Sequence, residues 1–458
     1  MARSFDAIII GTGQSGPALA GRMSQEGLSV AIIERDRVGG TCVNVGCTPT
    51  KTMVGSARVA AFARRAKEFG IIIDGTIRTD MKLVKARKDK VAGDSNRSVT
   101  QWLEGMDNVE LIRGHARFVE PHAVIVAGDV LEADKIILNV GARPRIPDWS
   151  GLDEVPYLTS SSVMEIEQVP EHLIIIGGSY IGLEFAQMYR RFGSRVTVVE
   201  THDRVIARDD EDVSSAVQEI LEEEGVRFRM NAECLAVRAH AEGVAVQVRC
   251  DDPPEEEIGT HLLLAVGRVP NSDDLGLEET GIKTNQFGYI EVDEFLCTSE
   301  PDVWAIGDVN GRGAFTHTSY NDYEIVAANL FDDDPRIVLD RIVCFGLFID
   351  PPLGRVGMTE REVRASGRRA LMGKRMMTRV SRAREFGETH GFIKILVDAD
   401  TEEILGAAIL GLNGDEAVHS LLDVMYAKQP YTVISRAVHI HPTVSELIPT
   451  VLQELQPL

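Results

Sequence analysis

The sequence predicts an α/β fold of two parallel-sheet units, each opened by a glycine-rich turn, with a separate α+β segment after them. Two observations carry this. A pattern of apolar strand, glycine turn, helix and second apolar strand occurs twice, 166 residues apart. From Arg341 onward the pattern becomes strands and helices with no such turn. The 458 residues, at about 150 per domain, lead to an expectation of three domains.

In the first copy, residues 5–10 are an apolar run and Gly11-Thr12-Gly13-Gln14-Ser15-Gly16 is the turn. A helical stretch reaches about residue 27, and residues 29–33 form the second strand, which ends on Glu34. A diphosphate must sit against backbone N–H groups at a helix N-terminus, where a Cβ would block it. The carboxylate that ends the next strand then hydrogen-bonds a ribose hydroxyl. Gly11, Gly13, Gly16 and Glu34 meet this pattern, with Glu34 lying 23 residues past Gly11, close to the expected ~20.

In the second copy the strand is 173–176, the turn Gly177 to Gly182, the helix 183–192 and the next strand 195–199, ending on Glu200. Gly177 and Gly182 are in place, and Ser179, small enough to fit, stands where the middle glycine is expected. An acid at Glu200 repels the 2′-phosphate of NADPH, which favours NADH. Arg204 and Arg208 lie close enough in sequence to keep NADPH possible.

These patterns divide the chain into 1–150, 151–270, a returning segment 271–340 and a third domain 341–458. Residues 141–151, rich in Gly and Pro, read as a linker. Asp251-Asp252-Pro253-Pro254 reads as a surface loop. The second unit closes with a strand at 261–266 and is left through residues 267–271. In the third domain, strands are expected at 341–348, 391–397 and 404–410, and helices at 415–428 and 444–455.

A net charge of −22 excludes nucleic acid and anionic membrane as main partners. No apolar run approaches the roughly 20 residues that span a bilayer, and residues 1–6 lack a basic stretch followed by an apolar one. A cytoplasmic location is expected. The basic residues Arg58, Arg64, Arg65 and Lys67 read as a solvated helix face.

Of six cysteines, only Cys42 and Cys47 lie close together. Structural disulfides are rare in the cytosol, so the pair reads as a redox or metal site. Two thiolates with no second Cys/His pair nearby make a poor zinc site, and no metal ligand is assigned. A helix starting near Cys47 favours its thiolate, and four intervening residues can fold Cys42 back onto Cys47.

Residues 39–51, Gly-Gly-Thr-Cys-Val-Asn-Val-Gly-Cys-Thr-Pro-Thr-Lys, resemble the active-site motif of the class I pyridine nucleotide–disulfide oxidoreductases. That family includes dihydrolipoamide dehydrogenase, glutathione reductase and mercuric reductase, and the resemblance covers essentially the whole chain. It implies two Rossmann-like dinucleotide-binding domains, for FAD and NAD(P), and a C-terminal α+β dimerisation domain. It also implies that Asp308, in the stretch 303–308, binds the ribityl chain, with Thr41, Gly307 and His317 on the same cofactor. Gly141 and Gly267 fall in the family's two returning turns.

Tyr180 and Glu184 match Gly-Tyr-Ile-Gly-x-Glu, where the tyrosine covers the nicotinamide pocket and the glutamate pairs with Lys51 near flavin N5. His441 and Glu446 resemble an acid–base dyad contributed by the partner subunit. His439 lies two residues out of register and reads as a strand residue. The implied reaction is a relay: hydride to the flavin, electrons to Cys47, and Cys42 as the interchange thiol facing the acceptor, with His441 shuttling the proton.

Within the family, residues 39–51 and 345–360 are similar to mercuric-reductase-like members. A closer likeness is to the reactive-chlorine-resistance branch, associated with copper(II) reduction. The chain shares with it Phe315-Thr316-His317, Asp322-Tyr323, Pro351-Pro352-Leu353 and a His-Pro…Ser-Glu ending. Mercuric reductases carry a C-terminal cysteine pair and a tyrosine where this chain has His441; the last cysteine here is Cys344. The resemblance thus implies a homodimer that passes electrons to a metal ion, Hg(II) or Cu(II), or to a related small-molecule acceptor. The alternatives are dihydrolipoamide dehydrogenase or another small-disulfide reductase, and, from a different class, a flavin-bearing redox sensor.

Overall fold

The computed structural model describes residues 2–233, 235–249 and 255–458. The loop expected at Asp251-Asp252-Pro253-Pro254, together with Cys234 and Cys250, lies outside the described residues. Among the described residues no helix is long and apolar enough to cross a membrane.

The fold is a mixed α/β architecture with two Rossmann-like sheets and an antiparallel C-terminal sheet. In the first, Val109–Arg113, Val30–Glu34, Arg3–Ile10 and Asp129–Leu138 lie side by side in parallel, and Val303–Ala305 joins next to Asp129–Leu138. In the second, Val226–Arg229, Arg195–Val199, His172–Ile176, His261–Leu264 and Leu158–Thr159 are all parallel. Strands of both sheets are buried on both faces, as helix-covered parallel sheets require. Residues read as a linker form a short strand instead: Ala142–Pro144 pairs antiparallel with Arg268–Pro270, a two-stranded ribbon between the sheets.

The C-terminal sheet has the order Cys344–Leu347, Leu353–Gly357, Ile404–Leu410, Phe392–Asp398, Ala370–Met376 and Gln456–Pro457. Several expectations fail here. The strand expected at 341–348 shrinks to Cys344–Leu347, because Arg341 turns away to bond Asp322 and Ile342 N bonds the Tyr426 hydroxyl. The helix expected at 415–428 is two helices, Gly414–Ala417 and His419–Tyr426, and Lys428 at φ +50° cannot continue it. The helix expected at 444–455 is only Leu447–Gln453, since its first residues make three-residue turns from Val444 and Ser445.

The basic cluster is not a solvated face. Arg58 reaches Glu388 at 3.1 Å, Arg65 donates to the Gly387 carbonyl at 2.8 Å, and Arg64 donates to the Arg191 carbonyl. Arg64 and Lys67 are exposed, and Lys67 alone of the four has no such partner. The spacing that suggested one polar face is a face docked on two neighbouring segments.

Candidate active site

The two glycine turns superimpose in detail. Gly11 N donates to Ile33 O and Gly177 N to Val199 O, each at 2.8 Å. A Cβ on Gly11 would stand 2.2 Å from Asn139 O, and one on Gly177 would stand 2.4 Å from Ala265 O. A Cβ on Gly16 or Gly182 would strike the carbonyl of Gly11 or Gly177. Gly13 is looser, with its Cβ position 3.3 Å from the Asn139 amide. Each turn feeds a helix, Ser15–Gln25 or Tyr180–Phe192, and Ser179 stands exposed at the N-cap position of the second without a side-chain capping bond.

The strand-end acids repeat as well. Glu34 accepts from Thr12 N at 3.1 Å and Glu200 from Gly178 N at 2.7 Å. Burial alone would push Glu200 up; hydrogen bonds from His202, Gly178 and Thr201 outweigh it and hold the carboxyl below its usual range.

On the first turn's side, Asp308 follows Gly307, whose φ is +74° and whose Cβ would strike Ser319 Oγ at 2.8 Å. Asp322 secures that corner, accepting from Gly307 N at 2.8 Å and Asn310 at 3.0 Å. Gly141 and Gly267 have room for a Cβ but sit at φ +66° and +104°, so their turns need glycine for backbone reasons. An open diphosphate cradle, a buried strand-end acid and a second acid at Asp308 fit a flavin dinucleotide.

Cys42 lies in the short helix Gly40–Asn44, and Cys47 opens the helix Cys47–Arg65. Gly46 allows the two to fold together, since its Cβ would stand 2.8 Å from Thr41 O. Asn44 clamps the turn by donating to Val38 O and Gly40 O, both at 2.9 Å. Thr316 Oγ1 lies 3.2 Å from Cys47 Sγ. The hydrogen bond from Cys42 outweighs desolvation and, with Thr316 and the Lys51 charge, brings the Cys47 thiol down to about 6. The same bond, then burial, pushes Cys42 up.

Lys51, one turn after Cys47, pairs with Glu184 at 2.5 Å and lies over the Phe348 ring at 4.4 Å. Glu184 also accepts from Phe348 N at 3.0 Å. Thr41 is exposed, with Arg268 at 3.5 Å. His317 bonds the Cys344 carbonyl at 2.7 Å and stacks on Phe315. Tyr180 meets Phe345 edge-on at 5.3 Å and Phe315 at 6.4 Å.

His441 Nδ1 lies 2.8 Å from Glu446. Within the chain these two bond each other and not the cysteines, and His441 sits in an irregular segment just after the exposed Val438 and Ile440. His439 is in this irregular segment and not in a strand, because the chain here leaves the helix Thr432–Ser435 without pairing. Among the described residues no group of three or more His, Cys, Asp or Glu is arranged to hold a metal ion.

Sequence reasoning missed Asn139, Thr316 and Phe348. Asn139 donates to Gly11 O and Gly13 O at 3.2 Å, bracing the first turn. Its signal was a polar residue directly after the apolar run Ile136-Ile137-Leu138.

The family model described as pyridine nucleotide-disulphide oxidoreductase matches residues 5–322, and the dimerisation domain of the same family matches 344–452. The chain belongs to this family. As a pyridine nucleotide–disulfide oxidoreductase it is an FAD-dependent enzyme that draws on NAD(P)H. It is 34% identical to the probable pyridine nucleotide-disulfide oxidoreductase RclA of Escherichia coli over 450 residues, 96% of this chain and 97% of that one. It is 31% identical to a mercuric reductase of Streptomyces lividans, covering 97% and 94%. Among solved structures it is similar to the Cu(II) complex of HOCl-induced flavoprotein disulfide reductase RclA from Escherichia coli. There the TM-score is 0.90 with 33% identity, covering 99% of each chain.

Proposed function

We propose that this oxidoreductase takes electrons from NADH and delivers them through Cys47 and Cys42 to a reducible, thiol-reactive metal ion, foremost Cu(II), with Hg(II) the other candidate. The observation that carries the reading is the geometry of the pair: Gly46 folds Cys42 toward Cys47, and Cys47 opens a long helix next to Thr316 and one turn before Lys51, which Glu184 holds. This arrangement pulls the Cys47 thiol down and pushes Cys42 up. FAD, when bound, accepts hydride from the nicotinamide and passes on two electrons. Lys51, fixed by Glu184, sets positive charge next to Cys47. Tyr180 covers the nicotinamide pocket. Glu34 and Asp308 would hold the flavin dinucleotide, with Thr41, Gly307 and His317 on the same cofactor. Cys42 meets the acceptor, and the balance is NADH + 2 Cu(II) → NAD⁺ + H⁺ + 2 Cu(I).

The metal-ion choice is supported by the Cu(II) complex of the RclA relative, alike over nearly the full length. A small disulfide is the second reading, favoured by the His441–Glu446 dyad, which suits protonation of a departing thiolate. The working unit is a homodimer in which that dyad faces the partner's cysteines; the exposed Val438 and Ile440 just before His441 are the surface such a contact covers. With saturating NADH, kcat/KM for Cu(II) is expected to exceed that for lipoamide or oxidised glutathione by at least about tenfold. The opposite order makes the enzyme a disulfide reductase.

NADH is preferred because Glu200 stays charged at neutral pH next to Gly178. Glu200→Ala is expected to move the NADPH/NADH ratio of kcat/KM toward NADPH by about tenfold. A wild-type enzyme with higher kcat/KM for NADPH overturns the preference.

A further inference from the structure

The C-terminal sheet presents an unusual row to the second Rossmann unit. Paired in register across five strands are Phe345, Arg355, Ala408, Lys394 and Lys374. Residues directly opposite in antiparallel strands share a face, so three cations stand on one face. Lys394, fully buried, is satisfied: Asp212 lies at 2.6 Å, Asp210 at 3.0 Å and Glu360 at 3.3 Å. Lys374 reaches Asp212 at 2.6 Å. Arg355 differs. It is 1% exposed, yet none of its three guanidinium nitrogens makes a hydrogen bond, and its nearest acids are Asp210 at 3.5 Å and Asp209 at 3.9 Å. Asp209, 2% exposed, likewise leaves Oδ2 without a hydrogen bond.

A buried ion pair without hydrogen bonds returns little stability, and an apolar side chain of similar volume serves the fold as well. Broken local rules of this kind gather at functional sites. The neighbours say which function. Arg355 is the register partner of Phe345, whose ring stacks on Phe315 at 5.7 Å and meets Tyr180 at 5.3 Å. Asp209 closes a loop that returns to the second glycine turn through Ile206 N to Gly178 O at 2.9 Å.

We propose that Arg355 and Asp209 are positioning residues for the nicotinamide step: their buried pair stands behind Phe345 and holds Phe345, and through it Tyr180, in place against the nicotinamide. This rests on the reading that Tyr180 covers that pocket. Burial, then the Asp209 charge, pushes the Tyr180 hydroxyl up while Arg355 acts the other way, so both charges reach the ring.

The test uses the FAD-loaded protein and the variants Arg355→Met, Arg355→Lys, Asp209→Asn and Tyr180→Ala. A poorly held reactant can lose up to about 100-fold in rate; Arg355→Met is expected to slow flavin reduction at saturating NADH about tenfold. Calorimetry should show NAD⁺ binding about threefold tighter, because a looser tyrosine is displaced more easily. FAD content and the rate at which dithionite-reduced protein reduces 5,5′-dithiobis(2-nitrobenzoate) should not change. Arg355→Lys, which keeps the charge, should recover most of the reduction rate. Asp209→Asn should shift both quantities in the same direction as Arg355→Met and carries the test if that variant does not fold. Wild-type reduction rate and NAD⁺ affinity in the folded variants, or an equal loss in both half-reactions, overturns the proposal. If Tyr180→Ala also leaves reduction by NADH unchanged, the reading of Tyr180 itself is wrong; if only Tyr180→Ala slows it, the fault lies with Arg355 and Asp209 alone.

Discussion

Replacing Cys42 by serine is expected to stop electron delivery to any acceptor while leaving reduction by NADH intact. The loss should be at least about 1,000-fold, the scale on which removal of a reacting nucleophile is felt. In the proposed relay Cys42 is the sulfur that leaves the pair and meets the acceptor; its bond to Cys47, then burial, push its thiol up. Cys47 stays behind, at the N-terminus of a 19-residue helix and next to Thr316 and Lys51. In FAD-loaded Cys42→Ser protein that thiolate should give a long-wavelength charge-transfer absorbance without any reductant. The sign follows from a lowered acid: the thiolate is present above about pH 6 and lost below it, so the band should fade as pH falls through about 6. Cys42→Ala removes the donor that contributes most to the lowering, and the fade should then move to higher pH. Cys47→Ser should show no band at any pH. FAD-loaded Cys42→Ser protein that lacks the band means the two sulfurs have the opposite roles.

The repeated turns were legible because the residues that signal them are neighbours in sequence, although the carbonyls that demand glycine come from Asn139 and Ala265, far along the chain. A strand, a turn that tolerates no Cβ and a helix N-terminus lie within 15 residues, and the carbonyl that excludes the Cβ belongs to the neighbouring strand in both copies. The cysteine motif was legible for the same reason, since Gly46 and Asn44 shape it from within.

The C-terminal sheet was half-hidden. Leu353–Gly357 and Ala370–Met376 went unread because Arg355, Lys374 and glycines break their apolar pattern. Their charges are neutralised by Asp209, Asp210 and Asp212, which lie more than 140 residues away in sequence. Gly373 looks like a strand breaker, but its Cβ position is 2.5 Å from Val451 O, so it marks a helix packed hard on the sheet. Register across strands decides which charges are buried, and register is a tertiary fact. Asn139 and Thr316 were missed on similar grounds: each acts on a partner more than 120 residues distant.

Mixing two inactive chains is expected to restore half of the wild-type activity per mixed dimer. One chain carries Cys42→Ser and the other His441→Ala. Each homodimer is defective at both sites; for His441→Ala the expected loss is about 100- to 10,000-fold, the range of a positioned acid–base group. In the mixed dimer one site collects both defects, and the other combines an intact cysteine pair with an intact histidine. The argument for this pairing begins with the dyad itself. His441 and Glu446 bond each other at 2.8 Å, so the imidazole is oriented, yet His441 is largely exposed and has no hydrogen bond to its own chain's cysteines. Val438, fully exposed, and Ile440, 80% exposed, precede it, and such exposed apolar side chains are costly to leave in water. The segment belongs to the part of the chain that matches the family's dimerisation domain. In the proposed homodimer a two-fold interface would bury both segments at once and bring each histidine to the other chain's cysteines. The measurement is turnover after subunit exchange, with exchange itself followed by mass-tagged chains. Activity that stays at the homodimer level while mixed dimers form places the histidine in its own chain's site or outside the reaction.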